Sequence, residues 1–161
     1  MSDRTRWTLC AGTIPKADFR ERVDAAARAG FAGITLFPEH YLDAIGKERI
    51  GPDEMRRCLR DADIVVEQLD PLLDWYDTGA TKSELFLYDA AEATGARSIN
   101  VAPAFAPTDE LPFLIDKLGA LGERARGRGL SIDLEFLPWS PIPTLAVAIS
   151  VVRSCDLRNV G

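Results

Sequence analysis

The chain has 161 residues, 47% of them hydrophobic and 27% charged, with a formal net charge of −6. That is ordinary globular material, long enough for one sizeable core, and its acidic balance argues against a nucleic-acid surface, where a basic patch is expected. No apolar run approaches the about 18 residues of a membrane span, and no signal peptide stands behind Met1.

The elements alternate in chain order. "WTLCAGTI" reads as a strand and "PKADFRERVDAAARAG" as an amphipathic helix ending at Gly30. Strand "FAGITLF" follows, with "LFPEHY" as its end, which places His40 at the end of the second strand. Next come helix "GPDEMRRCLRDAD", with Pro52 near its start, and strand "IVVEQL". Helix "KSELFLYDAAEATG" closes at Gly95 and leads to strand "RSINVAP". Helix "TDELPFLIDKLGALGERARGRG" closes at Gly129, before strand "LSIDLEF" and helix "PTLAVAISVVRSC". Asp, Ser, Thr or Pro opens each helix and Gly closes several, the expected punctuation. The basic run Glu123 to Gly129 suits a solvated helix C-terminus.

Strand–helix alternation predicts a parallel sheet with right-handed crossovers. A weak repeat supports it: a helix end, a glycine, then a strand, at Gly30, Gly95 and Gly129. Five β/α units in one domain over residues 1–161 are expected. The first strand is followed by no GxGxxG or GxxxxGK[ST], which removes the nucleotide-binding fingerprints. A (β/α)8 barrel takes about 250 residues, and five-eighths of that is close to this length. The strand ends carry polar or aromatic groups, as barrel tops do.

"GITLFPEHY", "INVAPAF" and "LEFLPWSPIPTL", with "AARAGFAGI" after the first helix, resemble the xylose isomerase-like barrel superfamily. That superfamily holds sugar-phosphate isomerases and epimerases, dehydratases, and the endonuclease IV branch (AP endonuclease family 2). The resemblance implies a partial TIM barrel with its strands in the order 1-2-3-4-5. It also implies that Glu135 is a ligand of a divalent Mn, Mg, Co or Zn ion, in chemistry that passes a proton through an enediolate. Read from the residues alone, Glu135 lies in a segment that reads as a buried strand, where a carboxylate needs a metal, a catalytic task, a neighbouring Arg or a loop to cap.

His40, the one histidine, Asn100, Glu67 and Trp139 are the candidate substrate contacts, and Asp70 is an alternative to Glu67. Phe37, Trp75 and Phe105 either wall a sugar-stacking face or pack in the core. No Ser-His-Asp order, HExxH or EF-hand loop is present. One histidine and a charge of −6 set the endonuclease branch aside. Cys10, Cys58 and Cys155 are odd in number and without a CxxC, as in a reduced cytoplasmic protein.

The expected function is a metal-dependent isomerase or epimerase of a small sugar or sugar phosphate. The alternative is a non-catalytic remnant, or a fragment that needs a second chain to complete the barrel. The sequence stops at "CDLRNVG", where a sixth strand would begin. On that ground the isolated chain is expected to expose apolar residues such as Ile34, Leu36, Val66 and Ile132. It is also expected to self-associate through bare edges at the first and fifth strands, and to lack turnover alone.

Overall fold

The structure, a computed structural model, describes residues 7–161. Among these residues five strands and six α-helices follow one another, alternating except where α2 and α3 both separate β2 from β3: β1 Thr8–Leu9, α1 Phe19–Arg28, β2 Gly33–Leu36, α2 Pro38–Gly46, α3 Pro52–Asp61, β3 Val65–Leu72, α4 Lys82–Thr94, β4 Ser98–Val101, α5 Leu111–Arg126, β5 Ser131–Leu134 and α6 Leu145–Cys155. The strands form one sheet in the order β1-β2-β3-β4-β5, as the alternation predicts. No helix among the described residues is long and apolar enough to cross a membrane.

The chain forms two compact units. The first holds the described residues up to Asp70 together with Asp89–Arg97. Its helix α1 starts in a capping box: Asp18 accepts from the Glu21 backbone N–H at 2.8 Å, and Glu21 accepts from that of Asp18 at 3.1 Å. Phe19, Arg22, Val23 and Ala26 are its buried residues, at helical spacing. Met55 and Leu59 bury one face of α3. Each fully buried side chain of this size contributes about 1.5–3 kcal/mol.

The second unit holds residues 71–88 and 98–161. Here α5 buries Leu114, Leu118, Leu121 and Ala125, and packs against β5 and α6. The Thr144 hydroxyl caps α6 by accepting from the Val147 N–H at 3.3 Å. Beyond α6 the chain returns to the sheet. Val160 forms a parallel bridge with Ile132, and the Gly161 N–H donates to the Ile132 carbonyl at 2.8 Å.

The repeat has a backbone cause. Gly30, Gly95 and Gly129 all hold positive φ, at 79°, 75° and 72°, in the left-handed turn that ends a helix and starts a strand. The unit between Gly30 and Gly95 has Asp63 in the same role, at φ 54°. Asp tolerates that region better than most residues.

Three expectations change. The segment read as the end of the second strand, His40 included, is helix α2, with Pro38 in its first turn and Glu39 beside it. The first strand is two residues long and runs into a 3-10 turn at Ala11–Thr13. The apolar residues expected to be bare are covered: Ile34, Leu36 and Ile132 are 0% exposed and Val66 is 1% exposed. They point to the helix side, where α1 and α2 pack on β2 and α5 packs on β5. The opposite sheet face carries small and polar residues instead. These are Gly33, Thr35 and Glu67 in the first unit, and Ser98, Asn100, Ser131 and Asp133 in the second. The fifth strand is not a wholly bare edge either, since residues 159–161 hydrogen-bond along it.

Candidate active site

In the second unit, β4 and β5 lie in parallel register with Asn100 opposite Asp133. Alternation places Asn100, Asp133 and Glu135 on one face of these two strands. Glu135 follows the last residue of β5, and its backbone N–H donates to the Val101 carbonyl at 2.9 Å. Its side chain is tied to the neighbouring strand: Asn100 Nδ2 donates to Glu135 Oε2 at 2.9 Å.

Asn100 is 8% exposed, whereas the Glu135 side chain lies in an exposed residue. Glu135 is therefore not the buried carboxylate that the apolar segment suggested. Solvent stabilises its charge, and the Asn100 amide fixes its direction. Asp133 is a half-buried carboxylate on the same face that sequence reasoning missed. The alternation of "SIDLE" is the signal that could have found it.

The loop after β5 is closed on itself. Ser140 Oγ donates to the Leu137 carbonyl at 2.9 Å, and the Leu137 N–H donates to the Ile142 carbonyl at 3.0 Å. This holds Trp139 outward, 75% exposed. The other indoles and phenyl rings divide. Trp75 is 0% exposed and donates from Nε1 to the Ala102 carbonyl at 3.1 Å, so it is a core residue. Phe105 is 74% exposed and, with Leu73, Asp74, Tyr76, Asp77 and Pro107, lines a groove of about 390 Å³ between the loops after β3 and β4.

His40 and Glu67 belong to the first unit. His40 is the third residue of α2, half-buried, with its ring stacked on Phe37 at 5.2 Å between centroids. Its Nδ1 accepts from the Phe37 N–H at 3.2 Å, and its Nε2 lies 3.2 Å from the Pro15 carbonyl and 2.9 Å from Arg22 Nη2. Burial and the adjacent guanidinium of Arg22 push its pKa below the usual histidine value. Glu67 sits on β3 at a register shift between Ile34 and Thr35 of β2. Its side chain crosses over Gly33, where a Cβ would come within 2.8 Å of Glu67 Cγ. Asp70 is half-exposed farther along β3.

A resident divalent ion takes at least about four donors. Among the described residues no group of three or more His, Cys, Asp or Glu is placed to hold one. Glu135 with Asn100 supplies one carboxylate and one amide already spent on it. These residues alone do not make a metal site.

No family model matches the chain. It is 29% identical over 162 residues to a 3-dehydroshikimate dehydratase of Pseudomonas aeruginosa, covering 94% of this chain and 24% of that protein. The chain thus spans about a quarter of the length of the curated relatives it matches. Among solved structures, a xylose isomerase domain containing protein from Salmonella typhimurium superposes with a TM-score of 0.86 at 14% identity, over 99% of this chain and 61% of that one. IolI protein with a bound zinc atom superposes with a TM-score of 0.81 at 17% identity, over 98% of this chain and 61% of that one. The fold is that of the xylose isomerase-like TIM barrels, present here in part as five strand–helix repeats.

Proposed function

We propose that the chain belongs to a barrel enzyme that processes a small sugar or sugar-like carbon acid by isomerisation, epimerisation or dehydration, with Glu135 as the carboxylate that serves the reaction. One observation carries this reading. At the C-terminal end of β5, where such barrels act, an exposed carboxylate is held by the amide of a nearly buried Asn100.

The three reactions share a step, the transfer of a proton to or from a carbon next to a carbonyl. A positioned carboxylate can accept that proton. The Asn100 amide occupies Oε2 and leaves Oε1 without a protein partner among the described residues. Oε1 is then the atom that takes the proton, and Asn100 is the positioning residue. Trp139 supplies an apolar face that excludes water from one side of a bound ring or chain.

A finer form of the proposal makes Glu135 one ligand of a divalent Mn, Mg, Co or Zn ion, as the family resemblance implies and as the zinc-bound IolI neighbour favours. The remaining donors would come from groups other than those described. His40 and Glu67 remain proposed substrate contacts, though both His40 ring nitrogens are already engaged.

The dehydratase relatives favour 3-dehydroshikimate as the first substrate to test, with a ketohexose beside it. Substrate protons are followed by NMR in deuterated buffer, with and without Mn²⁺. The proposal expects exchange of the proton next to the carbonyl, or loss of water. A second reading, a non-catalytic piece that works only when another chain completes the barrel, is favoured by the sparse donor set. Exchange by the 161-residue chain alone would remove it.

A further inference from the structure

Arg22 is 0% exposed and makes no ion pair among the described residues. A buried guanidinium without a carboxylate must find its compensation in carbonyls. It donates to the carbonyls of Ala11 and Ile14 at 3.0 Å each and to that of Ala17 at 3.4 Å. All three lie in the segment that joins β1 to α1, at the C-terminal end of β1. The fourth group beside it is the His40 ring.

The Phe37 N–H and the Pro15 carbonyl are both matched by a neutral ring with its proton on Nε2, although that proton then faces Arg22 Nη2, another donor, at 2.9 Å. The Phe37 N–H points at Nδ1, so Nδ1 must present a lone pair. The single ring proton is then on Nε2, aimed at the Pro15 carbonyl in the same segment. Protonation would consume the Nδ1 lone pair and orphan the Phe37 N–H. It would also place a second full charge 2.9 Å from Arg22 Nη2, in the first turn of α2, where the helix dipole already disfavours a cation. The Pro15 carbonyl, and Glu39 and Asp43 on α2 itself, work in the opposite direction but are outweighed by burial and Arg22.

We propose that His40 and Arg22 form a pH-operated latch, in which Arg22 clasps residues 11–17 while the ring is neutral and the protonated ring repels Arg22 and so loosens them. Since the segment follows β1 on the sheet end where such barrels bind substrate, the latch would make the order of that rim depend on pH. This inference stands apart from the role of Glu135 and does not need catalysis.

His40 is the one histidine in the chain, so its imidazole signals are unambiguous. The experiment is an NMR titration of the ¹⁵N-labelled protein from pH 8 to 5, with amide exchange followed at Ala11, Thr13, Ala17 and Phe37. The expected results are a neutral ring protonated at Nε2 and a midpoint below the ordinary value of about 6.5. Exchange at those four amides, corrected for intrinsic pH dependence, should rise at least about tenfold through the same midpoint, as local opening requires. His40→Asn keeps an acceptor for the Phe37 N–H without a titrating group, and should abolish the pH-dependent part of the exchange. A neutral ring protonated at Nδ1 would overturn the proposal, and so would protonation that leaves the four amides unchanged. Both readouts come from the wild-type protein, so they decide the matter even if the variant does not fold.

Discussion

The Asn100 side-chain amide reaches across from β4 to hold Glu135 Oε2 at 2.9 Å, just past the end of β5. Asn100→Ala removes that donor while Glu135 can still be solvated, so stability should fall by only about 1 kcal/mol. Asn100→Asp instead sets two carboxylates against each other and should lower the urea midpoint further than the alanine variant does. If the two variants unfold at the same denaturant concentration, the pairing has no energetic content.

The second unit also contains an ion pair whose carboxylate is fully buried and whose guanidinium is 24% exposed. Glu84 is 0% exposed, takes a fork from Arg124 at 2.7 and 2.8 Å, and accepts from the Tyr88 hydroxyl at 2.7 Å. Arg124→Met leaves the carboxylate buried without its cation and should cost about 3–5 kcal/mol. Glu84→Leu combined with Arg124→Met should recover most of that loss. Chemical denaturation of the single and double variants checks both, and a double variant no more stable than Arg124→Met would contradict this account of the pair.

Burial raises the pKa of Tyr76 and of Tyr88 above the ordinary tyrosine value, and the Glu84 contact adds to the shift at Tyr88. The folded state therefore keeps protons that the unfolded chain gives up near pH 10. Stability should be unaffected by these groups below that pH. Above it, stability should decline by up to about 1.4 kcal/mol per pH unit for each tyrosine. Urea midpoints of wild type and of Tyr76→Phe with Tyr88→Phe at pH 8 and pH 11 measure it, and the double variant should show the shallower decline.

Gly122 of α5 lies under the returning C-terminal segment. A Cβ there would meet Val160 Cγ2 at 2.6 Å and Leu157 Cδ1 at 2.8 Å. Alanine gains about 1 kcal/mol of helix propensity, but overpacking costs about 1–3 kcal/mol. Gly122→Ala should therefore be neutral to destabilising by about 2 kcal/mol. The loss should concentrate in faster amide exchange at Gly161, whose N–H donates to Ile132.

The strands, five of the helices and the sheet order were legible because period and punctuation agree at Gly30, Gly95 and Gly129. The unit between Gly30 and Gly95 was legible from its elements and spacing, while its left-handed turn, filled by Asp63, offered no glycine to read. Helix α2 was missed because Pro38 directly follows a strand and resembles a loop opener. At the site, the sequence located Glu135 and Asn100 but not their bond, because register between strands 35 residues apart is invisible in one sequence. It also misjudged the face. The apolar members of each strand point to the helices, and the polar members form the other side.

Glu135→Gln set beside wild type in the deuterium-exchange assay, on the same substrates, decides whether this carboxylate moves the proton. Glu135 is exposed, so the variant should keep its fold and its unfolding midpoint to within about 0.5 kcal/mol. The account predicts exchange by the wild type and a rate at least about tenfold lower in the variant. Equal rates in two equally folded proteins would contradict it.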